Sequence, residues 1–424
     1  MGEFIRFPVT MNIMKLSTLS VLVGILLCIA LFAGCTTPGP STGTPTPTTS
    51  PSEGTVIVTY TKGTGPMPTL LGTDQIDGYI AWQPFVEVPP LAGIGKVLVY
   101  SGELPPEGHW KDHPCCVFTA TEGMISNNPD LTNAMTAAII LSTRYLKDHP
   151  EESAEITADW LAGKGNFTYG DISVSSVEVL KRAFPTVAFT NEPTDTFTRN
   201  NLEFVEALRD LNVLTGSLKN STDDETIRIL FDENPYYAAK SMIDSGQIKA
   251  PAPVKSPVGV GYLMSDHHAS LFVAISKWQY FNDTYGIAIK PRDLSASRPD
   301  TADLMVHGKP IAELKLISGD AGPQLMQLMA TNNIQFALVG NPPAISAADK
   351  GTPVKIIMAL NNEGSGVVVT EDSPASDWNS FVAWAKQRSA AGNPLKIAAP
   401  GKGSIQDVML RYSLEASGLS IREG

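Results

Sequence analysis

Apolar runs of strand length alternate with helix-period stretches along most of this chain. In the first half the runs are Val56–Tyr60, Gly78–Trp82, Lys96–Tyr100 and Cys116–Ala120. In the second they are Val258–Leu263, Glu313–Ile317, Phe336–Val339, Lys355–Ala359, Gly366–Thr370 and Leu395–Ala399. Each is short and largely apolar at successive positions, the pattern of a strand covered on both faces. Helical spacing appears in Leu131–Lys147, Pro150–Leu161, Val174–Ala183, Thr198–Leu208, Ala269–Trp278, Pro323–Ala330, Ser376–Gln387 and Ser404–Ala416. Two starts carry local signals. Pro129-Asp130 opens one helix, and Ser404 follows Gly401-Lys402-Gly403 with Gln406 and Asp407 in the next turn. The alternation predicts an α/β protein of mainly parallel sheets with helices on both faces.

The N-terminal segment has a different pattern. Lys15 precedes an almost wholly apolar run, Leu19 to Phe32, that ends in Ala33-Gly34-Cys35. A basic start, an apolar centre and small residues before the cut predict an export signal over residues 1–35. The cysteine after Ala-Gly resembles a lipobox, which makes Cys35 the expected lipidation site. Residues 36–54 are nearly all Thr, Pro, Ser and Gly. Such a segment buries no apolar surface and reads as a tether. Residues 251–257 are Pro-rich without periodicity and read as a linker between two units, 55–250 and 258–424.

The chain has 424 residues, 43% hydrophobic and 17% charged, enough for two compact lobes. Its net charge is −12 and it has no Lys/Arg-rich run, which argues against nucleic acid as a partner. Four cysteines, Cys28, Cys35, Cys115 and Cys116, give no disulfide framework. His109, His113, Cys115 and Cys116 lie close in sequence, but their spacing fits no standard zinc pattern. The two cysteines read as strand entry, and neither a metal nor a cofactor is expected. Gly-x-Ser-x-Gly and His-Glu-x-x-His are absent, so no catalytic residues are assigned.

In open parallel sheets, ligands bind beyond the carboxyl ends of the strands. That rule selects Ser265, Asp266, His267 and His268, then Gly319 and Asp320, then Asn341 and Asn361, and Trp82 with Gln83 behind another strand. The loop of Lys402, Gly403 and Ser404 combines close backbone approach, a helix start and a cation, which suits an anion. There is also an internal echo. Leu71-Gly-Thr-Asp-Gln-Ile-Asp-Gly-Tyr-Ile-Ala-Trp-Gln-Pro84 parallels Met329-Ala-Thr-Asn-Asn-Ile-Gln-Phe-Ala-Leu-Val-Gly-Asn-Pro342.

The stretches Val258-Gly-Val-Gly-Tyr262, Ile317-Ser-Gly-Asp-Ala-Gly-Pro-Gln324, Phe336-Ala-Leu-Val-Gly-Asn-Pro-Pro343, Leu360-Asn-Asn-Glu-Gly-Ser-Gly366 and Ala399-Pro-Gly-Lys-Gly-Ser404 resemble the N-terminal portion of one family. That family comprises the periplasmic substrate-binding proteins of nitrate, sulfonate and taurine ABC transporters. Asp77-Gly-Tyr-Ile-Ala-Trp-Gln-Pro84 and His113-Pro-Cys-Cys-Val-Phe118 resemble what normally follows. The halves stand here in swapped order, as a circular permutation would leave them. The resemblance implies a two-lobed periplasmic-binding-protein fold of type II. It implies a monomeric, lipid-anchored solute-binding protein on the outer face of the membrane, handing a small anionic solute to an ABC permease. Two other readings share the resemblance: a surface receptor that senses without transport, and a pyrimidine-synthesis-like enzyme of related fold.

Overall fold

In the computed structural model, residues 54–163 and 165–424 are described. The expected signal peptide, Cys35 and nearly all of the expected tether lie outside the described residues.

Two sheets organise the described chain. The first has six strands in the order Ser420–Glu423, Thr55–Tyr60, Leu395–Ala399, Gly78–Trp82, Ser365–Thr370, Gly95–Tyr100. The second has eight, in the order Val187–Phe189, Val354–Glu363, Pro114–Thr121, Phe336–Gly340, Val258–Leu263, Lys309–Gly319, Thr301–Val306, Ile287–Pro291. A separate hairpin pairs Asn166–Tyr169 with Ile172–Ser175.

The expectation of mainly parallel sheets holds for the six-stranded sheet, where three of five pairings are parallel, and needs correction for the eight-stranded sheet, where two of seven are. Thr55–Tyr60 is parallel to both its neighbours, as is Val258–Leu263, and Leu395–Ala399 is parallel to Gly78–Trp82. The remaining pairings are antiparallel. Part of the reason lies in the connections. Pro114–Thr121 and Ser365–Thr370 each arrive from the other sheet, and each runs against its neighbours. A short meander accounts for another part, with Ile287–Pro291, Thr301–Val306 and Lys309–Gly319 paired antiparallel at one edge.

The central strands are apolar because both of their faces are covered. Gly78–Trp82, Pro114–Thr121, Val258–Leu263 and Phe336–Gly340 are buried at every position. The helix Pro129–Asp148 starts on its proline and is buried on most of its surface, between Asn234–Ser245 and Ala269–Ser276. Its buried threonines remain satisfied, with Thr132, Thr136 and Thr143 donating to carbonyls four residues back. The expected helix Val174–Ala183 instead begins at Ser176, because Ser175 caps it by accepting from the Glu178 N–H. The expected helix Ala269–Trp278 breaks into Ala269–Ser276 and Trp278–Tyr285.

The internal echo has a backbone counterpart. Asp74 and Asn332, equivalent in the two stretches, both sit at φ 55°. Their N–H groups turn back to Leu71 and Met329 in the same way. Each turn then leads into a fully buried strand. Among the described residues, no helix is long and apolar enough to cross a membrane.

Candidate functional site

Among the described residues the chain passes between the two sheets twice. One passage runs from Tyr100 to Pro114, and the other is Gly364 alone. Gly364 has φ +80°, and a Cβ there would lie 2.4 Å from His267 Nε2 and 2.8 Å from Val187 Cγ2. Only glycine fits. Its carbonyl accepts from the Gln83 N–H at 2.9 Å and from His267 Nε2 at 2.8 Å. A carbonyl cannot donate, so Nε2 carries the proton and Nδ1 of a neutral ring is bare.

His267 is held by the turn that follows Val258–Leu263. Ser265 Oγ accepts from the His267 N–H at 3.2 Å and donates to the Gln83 carbonyl at 2.9 Å, tying this turn to the six-stranded sheet. His268 Nδ1 accepts from the Leu263 N–H at 2.8 Å, which leaves its proton on Nε2. That Nε2–H is buried and has no partner among the described residues. Asp266 is fully buried, and neither carboxylate oxygen has a hydrogen-bond partner there. Burial pushes its carboxyl up to about 6, with His267 pulling the other way.

Cys115 and Cys116 complete the arrangement. Adjacent residues of a regular strand point to opposite faces, yet these two sulfurs lie only 3.9 Å apart. The register explains it. Cys116 pairs with Asn361 and Pro114 with Asn362, so Cys115 is an extra, unpaired residue. A bulge of this kind re-aims a side chain. Both thiols meet His267 Nδ1, Cys115 at 3.2 Å and Cys116 at 3.7 Å. Burial raises the Cys115 thiol. Burial also opposes ionisation of Cys116, but Cys115, His267 and His268 outweigh it and hold that thiol well below its usual range. His267 is correspondingly raised by Cys116 despite its own burial. His113, nearby and buried, is pushed down to about 4 by desolvation.

These groups border a cavity of about 20 Å³, walled by Trp82, Ser265, His267, His268, Ser404 and Gln406 with the two cysteines. That is room for about one water. Larger grooves, of about 610 and 580 Å³, open on the outer surface beside Lys355 and beside Lys402. Of the residues lining the groove beside Lys402, Ser346 Oγ and Arg411 Nε are also buried without partners among the described residues. Trp82 Nε1, both Asp266 oxygens, His268 Nε2 and both Asn341 amide atoms are buried without partners among the described residues. Buried polar groups are normally satisfied by the chain or by water, so these atoms single out this region as the candidate site.

Of the residues expected from sequence, Trp82, Ser265, His267, His268 and Ser404 wall this cavity. Asp266 belongs to the same turn, and Asn341 stands next to Gly340, which lines it. Asn361 braces the site, accepting from the Cys116 N–H at 3.2 Å and donating to the His267 carbonyl at 2.8 Å. Ser404 also caps the helix Ile405–Ala416 by accepting from the Asp407 N–H. The others point elsewhere. Gly319 packs on Leu325, and the Asp320 N–H donates to Gln324 Oε1 at 2.6 Å. Lys402 reaches Glu423 at 2.5 Å on the exterior, and the Gly403 N–H donates to Asp407 Oδ2 at 2.7 Å. Cys115, Cys116 and Gln406 were not among the expected site residues. Gln406 donates to Ser365 Oγ at 2.9 Å beside the crossing. A doubled cysteine at a strand entry was the available signal.

The NMT1-like family model matches residues 53–162 and 251–423. The uncharacterized protein MJ1180 of Methanocaldococcus jannaschii is 40% identical over 105 residues, covering 24% of this chain and 70% of that one. No solved structure matches. With most of its folded length matched on both sides of the 163–250 segment, the chain belongs to the NMT1-like family, a substrate-binding family for nitrate-, sulfonate- and taurine-like solutes.

Proposed function

We propose that this chain is an extracytoplasmic solute-binding lipoprotein of an ABC uptake system, anchored through Cys35 and holding a small anionic solute between two lobes. The observation that carries the reading is the set of unpartnered buried polar atoms at the small cavity, Trp82 Nε1 and His268 Nε2 in its wall with Asp266 and Asn341 next to wall residues. Trp82 Nε1–H, His268 Nε2–H and the Asn341 amide are donors for an anionic head. Asp266 supplies acceptors for an ammonium group, so an amino-sulfonate or similar zwitterion matches the set. The cavity is too small for such a solute, so binding requires the walls to part. Only two passages connect the sheets among the described residues, and bending there is the motion expected of a hinge. Delivery to a permease follows from the family's character, not from the site.

The swapped order of halves belongs to this reading. Thr55–Tyr60 lies between Leu395–Ala399 and Ser420–Glu423, so the first described strand is a neighbour of the last. Circular permutation requires such closeness.

The test is a thermal-shift screen of residues 55–424 against alkanesulfonates, taurine, nitrate, bicarbonate, dicarboxylates and pyrimidines. A ligand at 100 times its dissociation constant adds about 2.7 kcal/mol to the folded state. A dose-dependent shift with one anionic class is expected. A cooperative melt that no anion moves would overturn the anion reading. Consumption of a bound compound would favour the enzyme of related fold instead.

A further inference from the structure

We propose that Cys115, Cys116 and His267 form a binding site for a thiophilic d10 cation, zinc(II) or copper(I). The site borders the same small cavity as the proposed solute pocket and shares His268 with it, but the argument for it does not rest on the solute reading. The sulfurs and His267 Nδ1 all lie within 4.8 Å of one another and are buried.

The spacing suits a single ion. Two thiolates about 2.3 Å from a tetrahedral zinc stand about 3.8 Å apart, and an imidazole nitrogen stands about 3.6 Å from each. The observed separations are 3.9 Å between sulfurs, and 3.2 and 3.7 Å from nitrogen to sulfur. The ring is also presented as a ligand ring would be. Its Nε2–H is fixed on the Gly364 carbonyl at 2.8 Å, which turns the bare Nδ1 toward the thiols. Ligating histidines are commonly oriented by such a second contact. The bulge at Cys115 has a purpose in this reading, since without it the adjacent cysteines would face opposite sides of the sheet.

A second observation points the same way. His268 is fully buried and borders the same cavity, and its Nε2–H has no hydrogen-bond partner among the described residues. Its Nδ1 is occupied by the Leu263 N–H, so the ring acts as a donor beside the cysteines and not as a ligand. A donor suits a thiolate better than a thiol. Charge fits too, because two thiolates around a divalent zinc sum to zero, the state a buried site favours. Three protein ligands leave one coordination position, and the adjoining cavity of about 20 Å³ has room for one small ligand there. Soft sulfur donors select zinc or copper(I) over magnesium or calcium.

The experiment uses the reduced, chelator-stripped chain. Zinc(II), copper(I) and magnesium(II) are titrated separately against chromophoric competitors, without any organic solute. The titration is repeated on protein refolded with each metal present. One equivalent of zinc or copper(I) is expected to bind, with magnesium inert, and the tighter of the two names the ion. Cobalt(II) should give sulfur-to-metal charge-transfer absorption in the wild-type chain. Cys116→Ser and His267→Gln should each weaken binding by at least about 100-fold. Should those variants not fold, the wild-type cobalt spectrum decides alone. Absence of that absorption, or zinc and copper(I) binding equal to that of a Cys115→Ser/Cys116→Ser variant under both loading protocols, overturns the proposal. The solute screen on the stripped protein fails or succeeds independently.

Discussion

Asp349 and Asp266 are both buried, and their surroundings are opposite. Asp349 accepts three backbone N–H groups, from Thr215 and Gly216 at 2.9 Å and from Leu218 at 2.8 Å. The loop wraps it so closely that a Cβ on Gly216 would lie 2.0 Å from the Asp349 carbonyl. Asp266, in the turn Asp266–His268, accepts no hydrogen bond among the described residues. One carboxylate organises a loop and adds to stability. The other costs desolvation free energy that His267, 4.0 Å away, offsets only in part. A protein keeps a group of the second kind for what it does with something outside the chain.

Asp349→Ala should produce the largest effect, because it orphans three backbone donors. A loss of about 3 kcal/mol in urea unfolding is expected. A loss under about 1 kcal/mol would mean that water replaces the carboxylate and that the contrast is weaker than drawn. Gly364→Ala comes next, at about 2 kcal/mol, from strain at positive φ together with the clash on His267. A wild-type melting temperature in that variant would show that the crossing relaxes freely. Asp266→Asn sharpens the comparison most directly. Its stability should stay within about 1 kcal/mol of wild type while the solute-induced shift disappears. A collapse in stability like that of Asp349→Ala would make Asp266 structural.

The smallest effect concerns a third acid, Asp407. Burial raises its carboxyl, although the Gly403 N–H and Tyr60 OH partly offset this. A carboxyl raised in the folded state binds more protons folded than unfolded. Its contribution is therefore present below the ordinary carboxylate range and is lost as pH rises through the folded value. Asp407→Asn should remove that component, so the wild-type chain should lose ground to the variant as pH rises above the ordinary carboxylate range. Parallel pH curves would exclude it.

Strand positions were legible because buried strands are short apolar runs, and Gly78–Trp82, Val258–Leu263 and Leu395–Ala399 match their expected limits. Strand direction was not legible, since a local pattern does not record which end of a sheet a strand enters. The helix Asp223–Leu230 was missed although its capping box, Thr222 with Glu225, stands in the sequence. Its few apolar positions gave little periodicity. The turn Ser265–His268 could be found from strand-end position alone. The meeting of Cys115 and Cys116 with His267 could not, because it depends on a one-residue bulge and on partners about 150 positions away. Lys402 was selected for charge beside a glycine turn, but the position of Glu423 on the adjoining strand could not be read from that loop.

The strand Thr55–Tyr60 has both its sheet neighbours between residues 395 and 423. During synthesis, this first described strand must wait until residues 395–423 have been made before it can pair. The six-stranded sheet is thus assembled across the longest separations in the chain, while the eight-stranded sheet can begin from nearer pairings such as Ile287–Pro291 with Thr301–Val306. Non-local pairing slows folding and leaves strand edges exposed meanwhile. A ribosome-bound chain shortened before residue 395 should hold Thr55–Tyr60 as an open edge, in need of a chaperone until its partners arrive.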